Sequence, residues 1–287
     1  MARCTHPGMR GQARRVVMGT LVAVAAACTP AGQQGRLRWE WTGGNALEGG
    51  AGAESFVDGW SVHFTRYLVA VDGLVFNNEA GTEQARLAGA RVVDLVRPGP
   101  HLLAELEVTP ATWTSVGFSV RPVTAGAQPV DASEDDVAEL LRGGLAVLAE
   151  GTLTGGGRTL AFSWGFRPAL HHAACVTHAR VEAGGQATVR MVFHGERLFL
   201  ESLASGMLRL RAQAQVDADT GDGRVTVEEL AAVSGDAFTA LEWPRADAQP
   251  VTSLLEFEEA ALVHAARVAP DGACHVTLVS ALRDGGL

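Results

Sequence analysis

Basic charge is scarce in this sequence: 23 Lys and Arg stand against 32 Asp and Glu, a formal net charge of −9. Nucleic acid and anionic membrane surfaces are held by basic patches, so neither is expected as the partner. No CxxC pair occurs among the 4 cysteines, which removes the usual spacing of a structural zinc site. No internal repeat is visible, which speaks against solenoids and propellers. Tyrosine is nearly absent (1) while glycine numbers 34, the composition of a loop-rich fold. The 47% hydrophobic share suffices for one sizeable core or two small ones.

No long apolar run is present either. The apolar stretch at residues 16–27 is too short to span a bilayer. It follows Arg3, Arg10, Arg14 and Arg15 and ends Ala25-Ala26-Ala27-Cys28. A basic segment, a short apolar segment and a small-residue cleavage site make residues 1–27 a signal peptide, not part of the fold. Cys directly after the site resembles a bacterial lipobox, in which Cys28 would carry lipid and anchor the chain to a membrane. Ala25 stands where Leu is usual. Two other readings stay open: plain secretion with Cys28 free, and a twin-arginine signal at Arg14-Arg15 in poor flanks. Cleavage removes four Arg and no acid, so the acidic surplus grows.

Cys4 leaves with the signal and Cys28 takes lipid. Cys175 and Cys274 remain, in an oxidising compartment, and a disulfide between them is expected. Closing so long a loop would contribute roughly 3–5 kcal/mol. The rival reading makes both metal ligands.

Residues 28–55 are rich in Gly, Ala, Gln and Glu and read as a flexible tether, broken by Leu37-Arg38-Trp39-Glu40-Trp41 as one early strand. From 56 to 287 a single β-rich domain is expected. Period-two segments lie at 60–64, 91–96, 101–108, 113–120, 145–153, 159–166, 176–182 and 187–193, and a mostly apolar run at 67–76 has Asp72-Gly73 as a turn. Many short strands punctuated by Gly and Pro point to an antiparallel β-sandwich. Helices are few. Ser133 caps 134–142, and segments 207–216, 227–233 and 252–268 follow. A last strand is expected at 274–281.

Between two of those helices lies the acidic run Asp217 to Glu229, inside an EF-hand-like insertion at 205–235. A calcium loop places acids at positions one, three and five, glycine at six, an apolar residue at eight and a bidentate Glu at twelve. The second half has that register: Asp222, Gly223, Val225, Thr226 and Glu229 fill five, six, eight, nine and twelve. Arg224 would offer its backbone carbonyl. The first half, with Asp217 and Asp219, is one residue too long, and Gly221 is the natural place for the extra residue. Four clustered carboxylates repel one another without a cation, so calcium is the expected cofactor. A lone site of this kind binds with a Kd on the order of 10⁻⁴–10⁻³ M and braces a fold rather than sensing a signal. The alternative is a solvated acidic turn leading into a helix whose first acids suit its dipole.

The run from Phe162-Ser163-Trp164 through Cys175 and His194-Gly195 to the acidic loop resembles a group of uncharacterised envelope lipoproteins from myxobacteria and related bacteria. Asp58-Gly59-Trp60 with Val62 and Phe64 is similar to their early motif, and the resemblance covers about residues 56–234. It implies an envelope location and a calcium-type loop. Where members often read His-Gly-Asp-His, this chain has His194-Gly195-Glu196-Arg197 and lacks the second His. A more distant similarity is to methanobactin-associated periplasmic copper-binding proteins.

The 9 His keep a copper or zinc site around His194 open, with His171-His172, His178 and His275 as further members. Adjacent His171 and His172 would point to opposite faces of a strand, and His63, His101 and His264 look isolated on surfaces. Enzyme motifs fail. Ala161-Phe162-Ser163-Trp164-Gly165 mimics a nucleophile elbow, but its alternation is that of a strand. The glycines at 151–159 lack the Lys of a phosphate loop. The leading expectation is a lipid-anchored envelope protein of a binding or structural kind, not an enzyme, with calcium bracing one segment. The alternative is a copper- or zinc-binding envelope protein.

Overall fold

Alternating apolar residues build strands here, and two changes of period insert the helices. A computed structural model of the chain describes residues 33–81, 84–200, 207–209, 216, 221–234, 252–270, 272 and 274–278. Strand β1 (Gly35–Gly43) leads to a short helix α1 (Asn45–Gly49) and a 3-10 turn at Ala53–Ser55. Next come β2 (Ser61–Asn78), β3 (Gln84–Arg86), β4 (Arg91–Asp94), β5 (His101–Val108), β6 (Ala111–Val120) and β7 (Gln128–Val130). Helix α2 (Glu134–Gly143) precedes β8 (Val147–Gly155), β9 (Arg158–Phe166), β10 (Leu170–Val181) and β11 (Gln186–Phe193). After a 3-10 turn at Gly195–Phe199, the described elements are β12 (Arg224–Val225), α3 (Val227–Ala232), α4 (Leu254–Ala261), β13 (Ala266–Val268) and β14 (His275–Leu278).

The fold is mainly β. One sheet runs β13-β11-β1-β5, the other β12-β9-β8-β2-β6-β10-β14 with β3, β4 and β7 attached beside β2. Three pairings are parallel, β1 with β11, β4 with β7 and β12 with β9, so the sheets are mixed and not purely antiparallel as expected. Parallel neighbours need a long crossover, and the chain between β1 and β11 supplies one by building most of the other sheet.

One hydrophobic core takes residues from both sheets. Trp39 and Trp41 of β1 lie 5.6 and 5.5 Å from Phe118 of β6, ring to ring. Trp41 also stacks on Phe193 of β11 at 5.8 Å. These contacts correct the expected tether. From Gly35 onward residues 28–55 are folded, because Leu37, Trp39 and Trp41 alternate inward and are fully buried. The early strand expected there is present.

A second, smaller core lies on the opposite face of β2. Leu68 and Ala70 of β2, Val92 of β4 and Leu148 of β8 meet Val137 and Leu140 of α2 there. Ser133 accepts from the Asp136 amide while Asp136 accepts from the Ser133 amide, a complete capping box. Arg66 of β2 then clamps the helix. Its guanidinium donates to Asp136 at 2.9 Å, Glu139 at 2.7 Å and Glu150 of β8 at 2.7 Å. Covered on both faces, the middle of β2 reads as a continuous apolar run.

Asp72-Gly73 is not a hairpin turn. It is a bulge within β2, where the register to β6 shifts and Gly73 sits at φ 64°. The helix expected over 252–268 ends early: α4 gives way to a 3-10 turn at Leu262–His264 and then to β13 on the edge of β11. The helix expected from 207 does not begin there, since Leu208 bridges Phe56 and Leu200; Val216 is helical, and 210–215 lie outside the described residues. Cys175 and Cys274 form the expected disulfide, across 99 residues of sequence.

His172 on β10 is fully buried and stacks on Phe118 with ring centroids 4.4 Å apart. Its neighbour His171 is exposed on the other face, the expected alternation. Neither His172 nitrogen has a hydrogen-bond partner among the described residues. Burial, helped by the charge of His171, pushes its pKa down from 6.5 to about 4. The unfolded chain takes up this proton below pH 6.5, while the folded chain refuses it until about pH 4. Stability from this group is therefore full above pH 6.5 and drains away toward pH 4, by roughly 3 kcal/mol in all. Urea melts of His172→Phe across this range should lose that much of the wild-type acid slope. An unchanged slope would show that other groups carry it.

Candidate functional site

The acidic loop begins outside the described residues: Asp217 and Asp219 lie there, as does Cys28 of the expected lipid anchor. From Gly221 its second half is in place. Gly221 and Gly223 take positive φ, 65° and 80°, conformations that suit glycine. The Asp222 carboxylate accepts from the Arg224 amide at 2.9 Å, closing a tight turn.

The loop is then bonded to the sheet. Arg224 and Val225 form β12 along β9, opposite Ala161 and Phe162, and the Ala161 amide donates to Gly223 O at 2.9 Å. Val225 is buried, and the Trp164 indole donates to its carbonyl at 2.8 Å. Ser163 lies within β9 and its hydroxyl donates to Glu150 at 2.8 Å, so no strand-turn-helix elbow presents it.

Thr226 starts α3. Its hydroxyl accepts from the Glu229 amide at 3.2 Å, and one Glu229 oxygen accepts from both the Thr226 amide (2.8 Å) and hydroxyl (3.0 Å). Glu229 is thus already oriented toward the loop by a capping box. As calcium donors, Asp222, Glu229 and the Arg224 carbonyl are hard oxygens of the right type. The fit carries one condition: a bidentate Glu229 would have to loosen the contacts on its capping oxygen.

His194 follows β11 and is half-buried. Its Nδ1 lies 2.9 Å from Glu196 Oε1. The structure does not gather the other histidines around it. His171, His172 and His275 lie on β10 and β14, in the other sheet. His178 is on β10 and exposed. His63 is an exposed member of β2, and His264 is half-buried in a 3-10 turn. His101, expected on a surface, is buried instead, with Nδ1 at 2.8 Å from Asp131 and Nε2 at 3.0 Å from Arg97 O. Among the described residues no three His, Cys, Asp or Glu side chains meet as a metal group.

Trp164 and Glu196 lie within sequence motifs that assigned them no role. Trp164 anchors the loop, and only its position two after Phe162 on an alternating strand hinted at an inward ring. Glu196 was legible only as the residue two beyond His194. Both carboxylate oxygens of Asp58, from the early Asp58-Gly59-Trp60 motif, are buried without a hydrogen-bond partner among the described residues. Comparisons with protein-family models, with curated proteins and with solved structures find no match.

The Trp164 bond has a measurable consequence. Trp164→Phe keeps a ring in the core but leaves the buried Val225 carbonyl unmet, so it should cost about 1–3 kcal/mol in chemical denaturation. Proteolysis should then cut first near β12. A loss below about 0.5 kcal/mol would mean that the loop is not held by this bond.

Proposed function

We propose that this protein is an exported, lipid-anchored envelope protein of a binding or structural kind, whose acidic loop takes calcium as a brace. The observation that carries the reading is the loop's second half. From Asp222 to Glu229 it has calcium-loop register, glycine at the sharp turn, an apolar residue seated in the sheet and an acid poised at the start of α3.

Several features support the wider reading. The Cys175–Cys274 disulfide suits an oxidising compartment. The Arg-rich start, the short apolar run and Cys28 suit export and a lipid anchor to the membrane. We read the two sheets as a β-sandwich, on the strength of the Trp39 and Trp41 contacts to Phe118. The loop with α3 is then the second half of an EF-hand-like helix–loop–helix, laid on the sandwich edge. Bound calcium would supply positive charge among carboxylates that otherwise repel one another. Because such binding belongs to the folded state, it raises stability by RT ln(1 + [L]/Kd).

With a Kd near 1 mM, about 10 mM calcium should add about 1.4 kcal/mol, a rise of roughly 2–4 °C in melting temperature. Glu229→Gln can keep the capping contacts but loses a charged ligand, and should abolish the rise; Asp217→Ala should do the same. A wild-type melting temperature indifferent to calcium sinks the reading. The competing reading, copper or zinc at His194, takes its place if the purified protein holds stoichiometric metal that His194→Ala removes.

A further inference from the structure

The run His194-Gly195-Glu196 does more than cap β11. It forms one wall of a cleft of about 490 Å³. The turn after β1 and the segment around the 3-10 turn at Ala53–Ser55 also line it. Glycine keeps those walls open. A Cβ on Gly44 would sit 3.3 Å from His194 Nδ1 and 3.7 Å from Glu196 Oε2, and a Cβ on Gly52 would collide with the Glu54 carboxylate. The Gly44 amide donates to Phe193 O at 2.7 Å, which fixes the near wall to β11.

The charge of this cleft is unbalanced. Among the described residues Glu54 and Glu196 line it and no Arg or Lys does, while Arg197, next in sequence to Glu196, interacts with its charge from outside the lining. Glu196 has one oxygen on His194; its other, Oε2, is buried and has no hydrogen-bond partner among the described residues. Behind it stands Tyr67, fully buried, its hydroxyl also unpartnered among those residues. Burial first, and then the charges of Glu196 and Glu258, push the phenol pKa well up, so it stays a neutral hydroxyl. A carboxylate oxygen removed from water without a donor is costly, and a charged donor placed beside it removes that cost.

We propose that the cleft between Gly44, Gly52, Glu54, His194 and Glu196 binds a compact organic cation bearing N–H groups, a primary ammonium or a guanidinium. Such a group gives Glu196 Oε2 its missing hydrogen bond and offsets the surplus negative charge. Other ligand classes fit worse. An anion would meet two carboxylates. A quaternary ammonium needs aromatic faces, and no aromatic side chain among the described residues lines this cleft. A tightly held metal ion needs three or more protein ligands, and no such group exists among the described residues. The same chemistry could come from a free amine or from an arginine side chain on a partner protein.

Calorimetric titration of the full-length protein tests this with agmatine, with a blocked Gly-Arg-Gly peptide, with choline and with succinate. Agmatine should bind with a Kd below about 1 mM, while choline and succinate should not bind. Tighter binding of the peptide than of agmatine would assign the cation to a partner's arginine. Glu196→Gln should weaken agmatine at least about tenfold, and Gly44→Ala should block it by filling the cleft. Neither variant should alter the calcium response that depends on Glu229, so the two readings can fail separately. The proposal falls if agmatine gives no heat up to about 10 mM, if Glu196→Gln binds as the wild type does, or if choline binds equally well. It falls equally if zinc or copper fills the cleft with His194 as its ligand.

Discussion

Strand β2 is the constraint on which the rest depends. It pairs with β8, β6, β4 and β3, and its middle is covered on both faces. One face looks into the core shared with β1, the other into the small core under α2. A strand in that position cannot alternate polar and apolar, so Tyr67 to Val71 are all buried. It also cannot leave a charge unmet at its edge. Arg66 meets three carboxylates from α2 and β8 where the buried run begins, and the bulge at Gly73 re-aims the strand where the run ends. The long β2 thereby joins the β8–β9 hairpin and the β6–β10 pair into one sheet.

That arrangement explains which parts of the fold were legible in the residues and which were not. Strands with one wet face alternate, so β5 falls at the expected 101–108, and β6, β9 and β11 lie within two residues of expectation. Helix α2 announces itself through Ser133 and Asp136, which bond each other locally. The disulfide follows from counting cysteines. The errors all come from contacts distant in sequence. Asp72-Gly73 has turn chemistry, yet pairing with β6 on the far side overrides it. Residues 266–268 continue an apparently helical pattern, yet the open edge of β11 draws them into β13. Leu37, Trp39 and Trp41 read as one early strand, but the glycines around them suggest a tether, and the ring of Phe118 in the other sheet shows why the segment packs instead.

The acidic loop shows the same division. Its glycine at the turn and the helix after it were readable from spacing, whereas the Thr226–Glu229 cap was not. Nor was its anchorage. The sheet edge supports the loop's apolar position. Val225 is buried, β12 extends the ladder of β9, and the Trp164 indole meets the carbonyl. Any event at the loop is therefore coupled to β9 and, through β8, to β2. This is why a cation held there would act on the stability of the whole domain and not on a loose turn.

Most of the buried acids of the described fold are paired with arginine; Asp58 and one oxygen of Glu196 are not. Glu40 of β1 is held by Arg38 and Arg190, Asp72 by Arg121, Asp94 by Arg97, and Asp136 by Arg66. These acids are matched within the fold, as buried charge requires. Glu196 is treated differently: a histidine takes one oxygen and nothing described takes the other. Glu229 is matched by uncharged groups of Thr226. An acidic chain that gives arginines to these carboxylates, yet leaves one Glu196 oxygen without a hydrogen-bond donor among the described residues, leaves a place there for a donor to meet. The donor geometry then divides the labour. Short acids and peptide carbonyls around a tight turn suit a spherical hard ion. One buried carboxylate oxygen beside a glycine-walled cleft suits a cation with directed N–H bonds.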